Sequence, residues 1–174
     1  MRPLALAAIL TALPGLAFAA GGEPSTPTQT SESCTGAQVF DARTKTCVDA
    51  RDSRLDDATR LDGARELAAF GRADDALAVL ATLDHPEAAD ALTVRGFATR
   101  KSGDFAGAMV LYEAALALDP GHVLARSYMG QGLAEAGRMD EARLQLAHLR
   151  AHGARGTWPE IALAAAIAGE TVGY

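Results

Sequence analysis

Residues Ala89–His122 read ADALTVRGFATRKSGDFAGAMVLYEAALALDPGH, and residues Val123–Gly156 read VLARSYMGQGLAEAGRMDEARLQLAHLRAHGARG. Laid one above the other, the segments place Gly96 over Gly130, Gly103 over Gly137 and Ala108 over Ala142, a constant offset of 34 residues. A fixed period of this size marks a repeat architecture, in which each unit buries its apolar side only by stacking on the next. Within each segment the apolar residues recur at helical spacing on both sides of a turn. Each unit therefore reads as helix A, a tight turn at Gly103 or Gly137, and helix B. Glycine there suits a helix stop with positive φ, and Asp104 or Asp140 follows as a cap for helix B.

The pattern resembles the tetratricopeptide repeat family. The middle unit carries Gly96 at the small position between its helices, then Ala108, Tyr112, Ala115 and a closing Pro120. The next unit matches through Gly130, Leu133, Ala142, Leu146 and Leu149, with Ala154 where the closing proline is expected. An earlier unit reads through Ala64, Leu67, Gly71, Ala76 and Leu80 to Pro86, at a slightly shorter step. Arg60, Leu92 and Arg126 occupy the family's tryptophan position, and Arg95 replaces an apolar residue. The resemblance implies an all-α, right-handed α-solenoid of three units over residues 57–156. Terminal repeats need a finishing element, and Thr157-Trp158-Pro159-Glu160 reads as a capping box with an early proline. Residues 157–169 are thus the expected capping helix, with Trp158 locking it down.

Composition agrees with helices that pack closely on small side chains. Of 174 residues 49% are hydrophobic but only 5% aromatic, so the core is expected to be Ala, Leu and Val. The formal net charge of −6, without a basic cluster, argues against nucleic acid.

Upstream of the repeats the chain changes character. Arg2, the apolar run Leu4–Leu16 and Ala17-Phe18-Ala19 read as a signal peptide over 1–19, cleaved after Ala19. This run is too short to span a bilayer, and no later segment is long and apolar enough to do so. The expected location is the periplasm. Residues 20–33, rich in Gly, Pro, Ser and Thr, read as a flexible linker. Cys34 and Cys47 are the only cysteines, an even count that in an oxidising compartment reads as a disulfide. A redox pair or metal site fits less well, because there is no C-x-x-C and no nearby His. The bond would staple a hairpin over 34–48. Lying outside the repeats, the hairpin is expected to contribute little to their stability.

The residues point to binding rather than chemistry. G-x-S-x-G, H-E-x-x-H and a phosphate-binding glycine loop are all missing from the sequence, so no enzyme activity, catalytic residue or cofactor is expected. His148 and His152 stand one helical turn apart, but no third ligand is near and a metal site is not expected. Asp56-Asp57, Asp74-Asp75 and Asp140-Glu141 fall at helix starts, where the macrodipole favours them. The resemblance implies a concave groove presenting Leu61 and Arg65, then Thr93, Phe97, Arg100 and Lys101, then Ser127 and Gln131. Phe97 reads either as an aromatic anchor between arginines or as a residue packed on a neighbouring helix. The groove would take a protein or peptide partner in the periplasm, as a scaffold or adaptor, or alternatively as a chaperone holding a client.

Overall fold

The computed structural model describes residues 24–170. The leader expected over 1–19 lies outside them. From residue 57 the chain is a succession of antiparallel helix pairs: α2 (Asp57–Ala69) and α3 (Ala73–Leu80), α4 (Ala89–Lys101) and α5 (Phe105–Leu118), α6 (Val123–Glu135) and α7 (Met139–Ala151). The single helix α8 (Trp158–Ala168) follows. Each A helix packs on its own B helix and on the next A helix, giving the row α2, α4, α6, α8. Helix α8 therefore stands where a fourth unit would begin, and the whole is an α-solenoid of three units and a cap.

The period has a conformational origin. Gly71, Gly103 and Gly137, one per unit, all have φ between +75° and +100°, closing each A helix so that the chain doubles back. Asp104 then caps α5 by accepting from the Gly107 amide at 2.8 Å. Asp140 does not cap α7. It lies within the first turn, exposed and paired with Arg143 at 2.9 Å, while Arg138 occupies the cap position. Helices A and B touch where side chains are missing. A Cβ on Gly96 would stand 2.6 Å from Cε1 of buried Tyr112. On Gly130 it would stand 3.1 Å from Cβ of Gln145 on α7 and 2.7 Å from Cδ1 of Leu163 on α8. Ala108, Ala115 and Ala142 are fully buried along the same seam.

Two segments depart from expectation. First, residues 29–33 are not linker: α1 (Gln29–Ser33) forms there, its start capped by Thr28. A carboxylate from the first repeat holds it, because buried Glu66 accepts from Thr28 N at 2.7 Å, Thr28 Oγ1 at 2.7 Å and Ser31 N at 2.9 Å. The other end is held by Arg72, which donates to the carbonyls of Cys34 at 2.8 Å and Gly36 at 3.3 Å. Opposite charges thus meet the two ends of the helix in the sense its dipole favours.

Second, the hairpin is not an independent appendage. Strands β1 (Gln38–Asp41) and β2 (Thr46–Asp49) pair antiparallel, with Val39 opposite Val48, and Cys34 and Cys47 are bonded. Val39, Val48, Ala50 and Leu55 join one continuous core with Ala64, Leu67, Ala76 and Leu80 of the first repeat. Val39 lies so close to α2 that a Cβ on Gly63 would come within 3.0 Å of its methyls. Arg60, at the family's tryptophan position, is buried and donates to Ala50 O at 2.9 Å. The module thus closes the first repeat, and the turn after β2 brings the carbonyls of Ala50 and Asp52, which take donors from Arg60 of α2.

The expected capping box at residues 157–160 is also replaced. Thr157 makes no cap bond and donates instead to Ala154 O at 2.6 Å. Glu160 accepts from Arg150 Nε at 2.7 Å and reaches back to the Gly156 amide at 3.4 Å, one residue before the cap position. Pro159 does open the helix, and Gly169 ends it in the left-handed conformation.

Candidate partner-binding cleft

The expected groove residues lie on the A helices, as the register placed them, but most are inside the contacts between those helices. Thr93, Phe97, Ser127 and Gln131 are buried. The Phe97 ring stacks on Tyr128 of α6, with centroids 4.4 Å apart and planes 16° from parallel. Of the two readings open for Phe97, the structure gives the packed one. The groove positions of the middle unit face their counterparts on α6, so in a short array they hold units together.

The polar members behave likewise. Thr93 Oγ1 donates back to Ala89 O at 2.8 Å. Ser127 Oγ donates to Pro159 O at 2.6 Å, tying α6 to α8, and Gln131 Nε2 donates to Ser127 Oγ at 3.0 Å. Arg100 is buried, its guanidinium carbon 5.5 Å from the Phe97 ring centroid and its Nη1 in an ion pair with Glu135. Arg65 is mostly covered and lies 3.5 Å from Asp62.

Lys101 is different. Its Nζ lies 5.6 Å from the Phe97 centroid, and it lines a cleft of about 390 Å³ together with Gln131, Ala134, Glu135, Met139, Trp158, Ala162, Ala166, Gly169 and Glu170. Burial, with a smaller push from the adjacent Arg100 guanidinium, lowers the Lys101 pKa below the ordinary lysine value, and Glu135 opposes this. A cation so placed is only partly hydrated, so an arriving acceptor has less water to displace. Met139, Trp158, Ala162 and Ala166 give the cleft an aliphatic and aromatic lining, to which Lys101, Glu135 and Glu170 add charge.

Trp158, Met139, Ala162 and Ala166 were missed as site residues. A signal existed for the three on α8: continuing the 34-residue register past Gly156 makes residue 157 the start of another unit. The helix that follows is then an A helix with a groove-facing side, rather than a lid alone. The one tryptophan of the chain is half-buried at its start and contributes to the cleft wall.

Among the described residues no helix is long and apolar enough to cross a membrane, and no group of three or more His, Cys, Asp or Glu is placed to hold a metal. Residues 100–167 match the family model described as Tetratricopeptide repeat. No curated protein and no solved structure matches the chain.

Proposed function

We propose that this chain, a tetratricopeptide repeat protein through its residues 100–167, is a periplasmic adaptor that holds a partner protein by one apolar anchor in the cleft between α4, α6 and α8. The repeat family itself suggests a protein–protein interaction module. The observation that carries the finer reading is the cleft: about 390 Å³, lined by Trp158, Met139, Ala162 and Ala166 together with the charged Lys101 and Glu135. Tryptophan in a partly covered apolar pocket is the side chain most enriched among interface anchors. The volume suits a single inserted side chain of a defined partner, and this favours an adaptor over a chaperone that must accept many unfolded clients. The bonded pair Cys34–Cys47 supports an oxidising compartment, as does the leader-like sequence of residues 1–19.

The test is capture from periplasmic extract by chemical cross-linking, comparing wild type with Trp158→Ala, Ala166→Glu and the exposed control Arg138→Ala. One partner held in stoichiometric amount by wild type and Arg138→Ala supports the proposal if the two cleft variants weaken it by about 30-fold. Melting curves establish that the variants are folded. Full retention by folded Trp158→Ala excludes the cleft, and a broad set of transient clients in place of one partner favours the chaperone.

A further inference from the structure

Residues 143–155 hold Arg143, His148, Arg150, His152 and Arg155 and not one carboxylate, in a chain with 22 acidic residues and a net charge of −6. The basic residues lie along α7 and in the turn after it, while Leu146, Leu149 and Ala154 of the same segment face the core. Arg143, Leu144, Ala147, Arg150, Ala151 and Arg155 are all exposed there, Leu144 at 54%. Arg143, Arg150 and Arg155 surround a shallow depression of about 380 Å³ whose floor is Leu146, Ala147 and Ala151.

The repeat supplies its own control. Carried back by the 34-residue register, the basic positions become Met109, Ala114, Leu116, Leu118 and Gly121, and α5 contains no basic residue at all. The same helix pair is therefore built without these charges. A helix C-terminus favours cations in its last turn, and this accounts for His148 and Arg150. It does not reach Arg143, near the start of α7, or Arg155, beyond its end.

The existing ion pairs leave room for a ligand. Arg150 is fixed by Glu160, which is itself largely covered, so its position is set in advance. Arg143 pairs with Asp140, whose side chain is 98% exposed, an exchange of partners that costs little. Arg155 makes no ion pair among the described residues.

We infer that the outer face of the third unit is a second docking surface, one that takes an acidic segment of a partner protein. Guanidinium groups bind carboxylates in a two-pronged geometry that fixes orientation, and the aliphatic floor accepts an apolar side chain between the carboxylates. A phosphate polymer or an anionic bilayer extends beyond this patch and meets the acidic remainder of the chain, whereas a short acidic segment is matched by the patch alone. The depression shares no residue with the cleft, and the inference does not rest on the proposed function.

The test uses the mature chain and a fluorescently labelled peptide, Glu-Glu-Leu-Glu-Asp-Leu-Leu-Glu-Glu, read by anisotropy at low salt and at about 0.15 M salt. Wild type is expected to bind it, more weakly at the higher salt, with amide chemical-shift changes confined to α7 and the turn after it. The double variant Arg143→Glu/Arg155→Glu, both exposed positions, is expected to melt like wild type and to bind at least tenfold more weakly. Unchanged affinity in that variant overturns the inference, as does equal binding of the peptide with Lys in place of every acid. Failure of wild type to bind the peptide at millimolar concentration also overturns it. Tighter binding of phosphatidylglycerol vesicles or single-stranded DNA, lost in the double variant, overturns the protein partner in favour of a phosphate surface.

Discussion

The two ends of the solenoid are closed by different means, the C-terminal one mainly by apolar contact and the N-terminal one by more buried charge. At the C-terminal end α8 lays Leu163 against Gly130 and joins Leu146, Leu149 and Ala154 in an apolar cluster, with Ser127 giving one hydrogen bond across the seam and Arg150 of α7 one ion pair to Glu160. At the N-terminal end a strand-and-turn module meets α2 through Glu66, Arg60 and, just past α2, Arg72, with Val39 as the main apolar contact. A helix satisfies its own backbone, so a neighbour need only offer it apolar surface and room. A short hairpin and a helix of five residues expose N–H and C=O groups on the side they bury, and the covered helix must answer with charge. This is why α2 buries two charged side chains, Arg60 and Glu66, beneath the module.

That contrast can be broken from either side. The largest effect is expected at the apolar end, where Leu163→Ala empties a fully buried site and should cost about 2–5 kcal/mol. Urea unfolding measures it, and a loss below about 1 kcal/mol would mean that α8 is not an integral cap. At the other end, Cys34→Ser/Cys47→Ser opens a loop with a sequence separation of 13 and should remove about 3 kcal/mol. Because the module shares a core with α2 and α3, amide exchange should rise throughout the first unit and leave α6 to α8 protected. Exchange confined to residues 34–48 would restore the independent hairpin. Glu66→Gln keeps the shape but weakens three hydrogen bonds at the start of α1, at about 1–3 kcal/mol. Its signature is proteolytic cutting near residue 28 without a change in the repeats, and resistance equal to wild type would assign α1 to the hairpin alone.

The smallest effect separates the ends by pH. In the N-terminal part Asp41, Asp52, Asp56 and Asp57 all have lowered pKa values. The main causes are the Arg43 amide for Asp41, the Arg54 side chain for Asp52 and the Thr59 hydroxyl for Asp56. For Asp57, burial works against the shift, but the Asp84 and His85 amides outweigh it. In the C-terminal part Glu141 is lowered, chiefly by Arg138. A depressed folded pKa stabilises the fold fully above the ordinary carboxylate value of about 4 and loses that contribution as pH falls through the folded value. Amide signals of residues 38–69 should therefore broaden before those of α6 to α8 as the pH is lowered from about 5 to about 2. Simultaneous loss at both ends would show that the difference is not electrostatic.

The repeat frame was legible because it is written in residues whose reasons are local. Gly103 and Gly137 need positive φ, Gly96 needs absence of a side chain, and Tyr112 fills the space that Gly96 leaves. A period of 34 then multiplies these signals until they are unmistakable. Cys34 and Cys47 were legible for the same kind of reason, being the only pair available. The site was not. Phe97 and Arg100 carry the signature of an interface whether they face a partner or the next helix, and the stacking of Phe97 on Tyr128 depends on where α6 comes to lie. Glu66 and Arg72 look like surface charges on an amphipathic helix until α1 is placed over them.

The sequence by itself determined the helix pairs, the turns between them, the small residues on which they pack and the disulfide partners. Only the tertiary structure decided which end is closed by charge, which groove residues are sealed within the stack, and that Trp158 belongs to the wall of a cleft. The reason is the range of the forces involved. Backbone conformation and close contact within a helix pair are fixed over a few residues, whereas exposure and the pairing of buried charges depend on neighbours more than thirty residues away, such as Thr28 for Glu66 and Glu135 for Arg100.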